Sequence, residues 1–254
     1  SKRINATSVM MAATHLGGDE AEALIALNKD EPRAAIGLHV TLTAPFKPLC
    51  ENFAPLRHGT FLPHKDMMRT ALLRRLKPDL LADEIATQVR AFRETFSRLP
   101  DFVDGHQHVQ LLPQVRDAFL RVVAETAPNA WVRQCGRAGA ARPLHDRKGM
   151  VLDILSMGFR GRAAHFGLST NPAFAGAYHF TPKADFAKTF PRFLKGLPDG
   201  GLIMCHPGFV DRELERLDSL TVLREHEFAF FSSDAYPDML AEHGVELAAP
   251  AGQS

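Results

Sequence analysis

The sequence is poor in cysteine. The three it has, Cys50, Cys135 and Cys205, are odd in number, far apart and form no Cys-x-x-Cys pair. That argues against a disulfide framework or a zinc ribbon and fits a reducing, cytoplasmic setting. No stretch approaches the roughly 18 uninterrupted apolar residues of a membrane span, so no transmembrane helix is expected. The start, Ser1-Lys2-Arg3-Ile4-Asn5, lacks both an initiator Met and the apolar core of a signal peptide. An excess of one charge is missing too. Lys and Arg number 30 against 29 Asp and Glu, a formal +1. There is therefore no electrostatic case for nucleic acid or an anionic membrane as the partner. Repeats, low-complexity tracts and convincing linkers are absent, so residues 1–254 are read as one domain.

What is present suits a globular α/β chain. At 45% apolar and 23% charged, its 254 residues have an ordinary soluble composition. A folded chain of this size buries about three-quarters of its unfolded surface and needs no metal merely to hold together. Short apolar runs alternate with helical stripes. Thr7 to Ala12, Ala34 to Thr43, Phe102 to Val109, Ala130 to Arg133, Ala164 to Leu168 and Gly201 to His206 read as strands. Helices are expected over Asp19–Leu27, Leu81–Leu99, Pro113–Ala127, Asp185–Leu194, much of Leu214–Phe231, and Tyr236–His243. The second of these is the clearest, with Ile85, Val89, Phe92 and Phe96 on one face. Such alternation is the mark of parallel βα units in a barrel or doubly wound sheet. The proline-rich stretch from Ala44 to about Lys65 is long enough for a functional loop or lid. Gly136 to Gly149, rich in Arg, Ala and Gly, reads as a flexible insertion.

Polar clusters sit at or near the ends of apolar strands: Gly37-Leu38-His39, Asp104-Gly105-His106-Gln107-His108, and Met204-Cys205-His206-Pro207-Gly208. In parallel α/β folds ligands bind beyond the carboxyl ends of strands, so imidazoles from separate strands could converge. On a continuous strand Asp104, His106 and His108 would share a face. Asp104 and His108 would then be about 13 Å apart, too far to hold one ion directly. His106 and His108, nearest the strand end, make the expected working pair. Two neutral imidazoles and a carboxylate suit zinc or another divalent transition metal, which would polarise a carbonyl and acidify a water. A further His could act as general acid. Plainer readings stand beside these. A lone His such as His39 is more often a hydrogen-bonded core or surface residue, and Cys205 a small buried hydrophobe. Arg133 reads as either a substrate clamp or a structural ion-pair partner. The remaining histidines, His64 among them, carry no pattern, and the scattered Phe residues look like core.

In order and spacing, Gly37-Leu38-His39-Val40-Thr41-Leu42-Thr43, Val103-Asp104-Gly105-His106-Gln107-His108-Val109 and Met204-Cys205-His206-Pro207-Gly208 resemble the motifs of the YdjC-like (ChbG) carbohydrate deacetylases. Thr7-Ser8-Val9-Met10 matches that family's second strand, and Asp30-Glu31-Pro32 the approach to its first His. The resemblance implies a distorted or incomplete (β/α) barrel of the polysaccharide-deacetylase type. It also implies hydrolysis of the N-acetyl group of an amino sugar, typically a chito-oligosaccharide. One divalent metal, magnesium or zinc, would activate the water that attacks the acetamide carbonyl. Matched by position, His39 and His106 would be metal ligands and His108 would line the site. His206 would be the acid or a substrate contact, and Arg133 an Arg near the pocket. The partner is then a small carbohydrate, with a homodimer left open as the assembly.

The family opens with a strand ending in Ala-Asp-Asp-Phe-Gly, whose carboxylates supply a metal ligand and a base, and nothing in this chain matches it. The expectation is that a first βα unit of about 20–30 residues is absent from the sequence. Two rivals therefore accompany the deacetylase reading. One is a metallohydrolase of another bond, such as a phosphoester, which the lack of a glycine-rich phosphate cradle disfavours. The other is a homologue that binds carbohydrate without catalysis.

Overall fold

A computed structural model of the protein describes residues 3–13, 18–30, 34–138, 147–178, 180–218 and 220–248. Two compact units emerge. The first is built mainly from Ile4–Gln134 and Ile154–Thr170, the second from Cys135–Asp153 and Asn171–Ala248.

In the first unit, strands β1 (Ala6–Val9), β2 (Ala35–Val40), β5 (Phe102–Gly105) and β6 (Trp131–Val132) form one parallel sheet in the order β1-β2-β5-β6. Between them lie α1 (Gly18–Leu27), the short hairpin β3 (Leu56–Arg57) and β4 (Thr60–Phe61), α2 (His64–Leu72), α3 (Pro78–Phe96) and α4 (Val115–Thr126). Helix α3 starts with Pro at its first position, where no N–H is needed, and ends on Ser97 in the left-handed region. Its apolar face, Leu81, Ile85, Val89, Phe92 and Phe96, is buried as the periodicity predicts, and α3 packs on α4 and β2. Gly37 is required in the middle of β2. A Cβ there would lie 2.6 Å from the ring of Phe102, which stacks on Trp131.

The run from Ala44 to Lys65 is not a free loop. It carries the β3–β4 hairpin, and α2 begins inside it. Buried Glu84 on α3 accepts the backbone N–H groups of Leu49 and Cys50. Buried Gln88 exchanges two hydrogen bonds with the peptide of Thr41, prolonging the pairing of β2 with an amide side chain.

Helix α5 (Arg147–His165) takes up the run Ala164–Leu168 that reads as a strand. Ala164 and His165 end the helix, because so short an apolar run does not distinguish the two structures. The expected insertion at Gly136–Gly149 falls largely outside the described residues, and its last part opens α5.

The second unit contains a two-stranded parallel sheet, β7 (Phe174–Ala175) with β8 (Leu202–Ile203), and helices α6 (Phe186–Thr189), α7 (Pro191–Leu194), α8 (Leu214–Leu217), α9 (Val222–Ser232) and α10 (Ala235–Glu242). Its core is aromatic: Phe186, Phe190, Phe193, Phe230, Phe231 and Tyr236 pack together with Leu194. Pro191 divides the single helix expected over 185–194 into two turns.

The α/β layering with parallel strands is present, and among the described residues no closed barrel forms. No helix among them is long and apolar enough to cross a membrane.

Candidate functional site

Strand register builds the site. His39 on β2 lies directly beside Asp104 on β5, and Val40 beside Gly105. On the other side of β2, Ser8 of β1 pairs with Gly37, two residues from His39 and therefore on the same face. Arg133 follows β6 immediately and donates its N–H to Val103. Each strand of the sheet, at or just past its carboxyl end, thus contributes one polar residue to a row: Ser8, His39, Asp104 and Arg133.

The row is hydrogen-bonded from end to end. His39 Nδ1 is 2.6 Å from Asp104 Oδ1, and the Ser8 hydroxyl lies 3.3 Å from the same nitrogen. Arg133 Nη1 sits 2.8 Å from Asp104 Oδ2, and Nη2 donates to the Gly105 carbonyl at 2.8 Å. Asp104 and Arg133 are both buried. Burial by itself would raise the Asp104 carboxyl. The Arg133 guanidinium and the His39 ring outweigh that and hold it at about 2. An ionised carboxylate only accepts, so Nδ1 of His39 carries the proton and donates. In the neutral ring Nε2 is then the atom with the lone pair, available to an electrophile.

His106 comes next. Its ring stands edge-on to His39, with centroids 5.5 Å apart, and edge-on to Phe46 at 5.7 Å. The expectation that Asp104, His106 and His108 share a strand face is overturned. Strand β5 stops at Gly105, and His106–Leu111 turns tightly, with Gln107 and His108 both left-handed at φ 53° and 59°. Gln does not announce that conformation as Gly or Asn would. Gly105 enters this turn closely packed, since a Cβ there would come within 2.5 Å of Gln110. His108 remains half-buried on the turn.

His64, at the start of α2, bonds to the Gln107 backbone, and burial lowers its pKa despite that bond. No local pattern marks His64, because the contact depends on tertiary folding. Asp104 as the group that orients His39, with Ser8 behind it, was equally illegible without the register. The structure brings together His39, Asp104, His106 and Arg133.

His206 belongs to the second unit, just beyond β8. Its backbone N–H donates to Glu227, and its ring lies edge-on to Phe180. Burial, then Glu227, push the neighbouring Cys205 thiol up to about 12, so that thiol stays protonated near neutrality.

Residues 1–242 match the family described as YdjC-like protein. The chain belongs to the YdjC-like family. Its fold is also that of a solved structure from Enterococcus faecalis V583, a protein named for a proposed role in cellobiose-phosphate cleavage. The two share 20% sequence identity with a TM-score of 0.70, over 97% of this chain and 87% of that one. At that identity the likeness concerns the fold.

The donor set of this YdjC-like site can be tested against a divalent cation. Two adjacent imidazoles, one with its tautomer set by a buried carboxylate, are what a zinc-type ion uses. Among the described residues no group of three or more His, Cys, Asp and Glu stands close enough to hold an ion. The pair therefore fits as part of a coordination shell.

Proposed function

We propose that this YdjC-like protein is a metal-dependent N-deacetylase of amino-sugar oligosaccharides of the chito-oligosaccharide kind. The observation that carries the reading is the polar row across the sheet, which fixes the tautomer of His39 while the ring of His106 stands 5.5 Å away. Such a row has a clear use when His39 must offer a lone pair in one fixed direction.

On this reading His39 and His106 hold one divalent ion. Imidazole ligands favour zinc over magnesium, which prefers oxygen. When bound, that ion supplies Lewis acidity for the acetamide carbonyl and lowers the pKa of a water. Asp104 keeps the Nδ1 proton of His39 in place, and Arg133 keeps Asp104 ionised. Phe46 packs against His106 and limits water around the pair. His108 lines the site. His206 is assigned the proton to the departing amine or a contact to the sugar. Arg133, as placed, acts through Asp104.

The test is acetate release from N-acetylated chito-oligosaccharides with zinc or magnesium added. Release should depend on metal and should fall at least about 100-fold in His39→Ala and His106→Ala with the fold retained. Undiminished hydrolysis by His106→Ala would show the site to be misassigned.

A second reading, a carbohydrate-binding homologue without catalysis, is favoured by one observation: among the described residues only two ligands meet. It expects glycan binding that is indifferent to metal, with no acetate released.

A further inference from the structure

The second unit holds a buried carboxylate that none of these steps uses. Glu227 on α9 is 0% exposed, and its two oxygens serve two different neighbours. Oε1 accepts the Tyr178 hydroxyl at 2.7 Å, and Oε2 accepts the backbone N–H of His206. The loop is tied to the same helix once more, where Gly208 donates its N–H to the Arg224 carbonyl at 3.2 Å. Arg224 is itself held by Asp218 at 2.6 Å and by the Leu220 carbonyl at 2.7 Å.

A carboxylate is costly to bury, and a leucine at this position would satisfy an aromatic core at no such cost. Desolvation pushes Glu227 up, and the His206 amide, Tyr178 and Arg224 pull it back. Burial and then Glu227 push the Tyr178 phenol up, so Tyr178 remains a donor throughout the neutral range. Both hydrogen bonds to the carboxylate therefore persist at working pH. The His206 ring is restrained separately by Phe180, edge-on at 5.7 Å.

We propose that Glu227 is a positioning residue: it anchors the Cys205-His206-Pro207 backbone from α9 and thereby sets the direction in which the His206 imidazole meets substrate. The inference rests on the role assigned to His206 in the deacetylase reading.

Three variants of the full chain test it. Glu227→Leu removes the acceptor. Glu227→Gln keeps an acceptor for the His206 N–H and can turn its amide donor to the Tyr178 oxygen. His206→Ala removes the group through which Glu227 acts. Glu227→Leu should lower kcat for acetate release by about 10–100-fold with KM changed by less than about threefold. Glu227→Gln should restore kcat to within about threefold of the parent. In the His206→Ala background, Glu227→Leu should cost less than about a further twofold. Losses that multiply instead would overturn the proposal, because a general packing defect adds to any other.

A readout independent of turnover comes from the unaltered protein. A nuclear spin coupling across the hydrogen bond should join the His206 amide nitrogen to the Glu227 carboxyl carbon, with slow exchange of that amide. Absence of both overturns the anchor even where Glu227→Leu fails to fold. No acetate release with the coupling present would remove the deacetylase reading and leave the anchor standing. Acetate release without the coupling would do the reverse.

Discussion

Two buried carboxylates show how much a neighbour's charge decides at the scale of single residues. Asp104 faces the Arg133 guanidinium, and its pKa is held at about 2 against a usual 3.8. Its folded value lies below its unfolded one, so it stabilises the fold above about pH 4. That contribution, about 2 kcal/mol, is lost as pH falls toward 2. Glu227 faces neutral donors, with Arg224 a lesser influence, and its folded value lies above the usual one. Its linkage has the opposite sign: the contribution is full below the unfolded value and is lost as pH rises through the folded one. Asp104→Asn should therefore be less stable than the parent at pH 5, and the gap should narrow by about 2 kcal/mol by pH 2 in urea titrations. A gap that stays constant with pH would show that Asp104 is not held ionised by its partners.

At the scale of elements, the site depends on where β2 and β5 end. Gln88 closes β2 by bonding both the N–H and the C=O of Thr41, and donates to Glu84, which in turn pins Leu49 and Cys50. Gln88→Leu keeps the size but strands a buried peptide group, and should cost about 2–5 kcal/mol by chemical denaturation. A loss under about 0.5 kcal/mol would mean that the amide is not needed to hold the strand end. Helix α3 was legible in the sequence because its buried residues follow the 3.6-residue period. The end of β5 was not. Phe102–Val109 reads as one strand, yet it turns at His106, and Gln107 adopts left-handed backbone that its residue type does not signal. The prolines of 44–65 marked that run as irregular, but the buried side chain that ties it down, Glu84, belongs to α3 and lies 35 residues beyond Leu49, invisible to local pattern. Glu227 is the same case: one acid among the charges of α9 is singled out only by what packs over it.

At the scale of the whole molecule, the near-zero net charge leaves function to a local arrangement rather than to a broad field. The motifs Gly37-Leu38-His39 and Asp104-Gly105-His106 were legible as a family resemblance, and the match over residues 1–242 bears that out. What the motifs do not reveal is the order of support: Arg133 holds Asp104, Asp104 holds His39, and His39 stands beside His106. On the proposed function this chain of contacts prepares a divalent-metal site. The zinc bound per chain at equilibrium, titrated with added zinc in the parent and in His39→Ala, tests this most directly. The parent should bind about one equivalent, and His39→Ala should bind it at least about tenfold more weakly. No zinc bound by the parent, or equal binding by both, would contradict this.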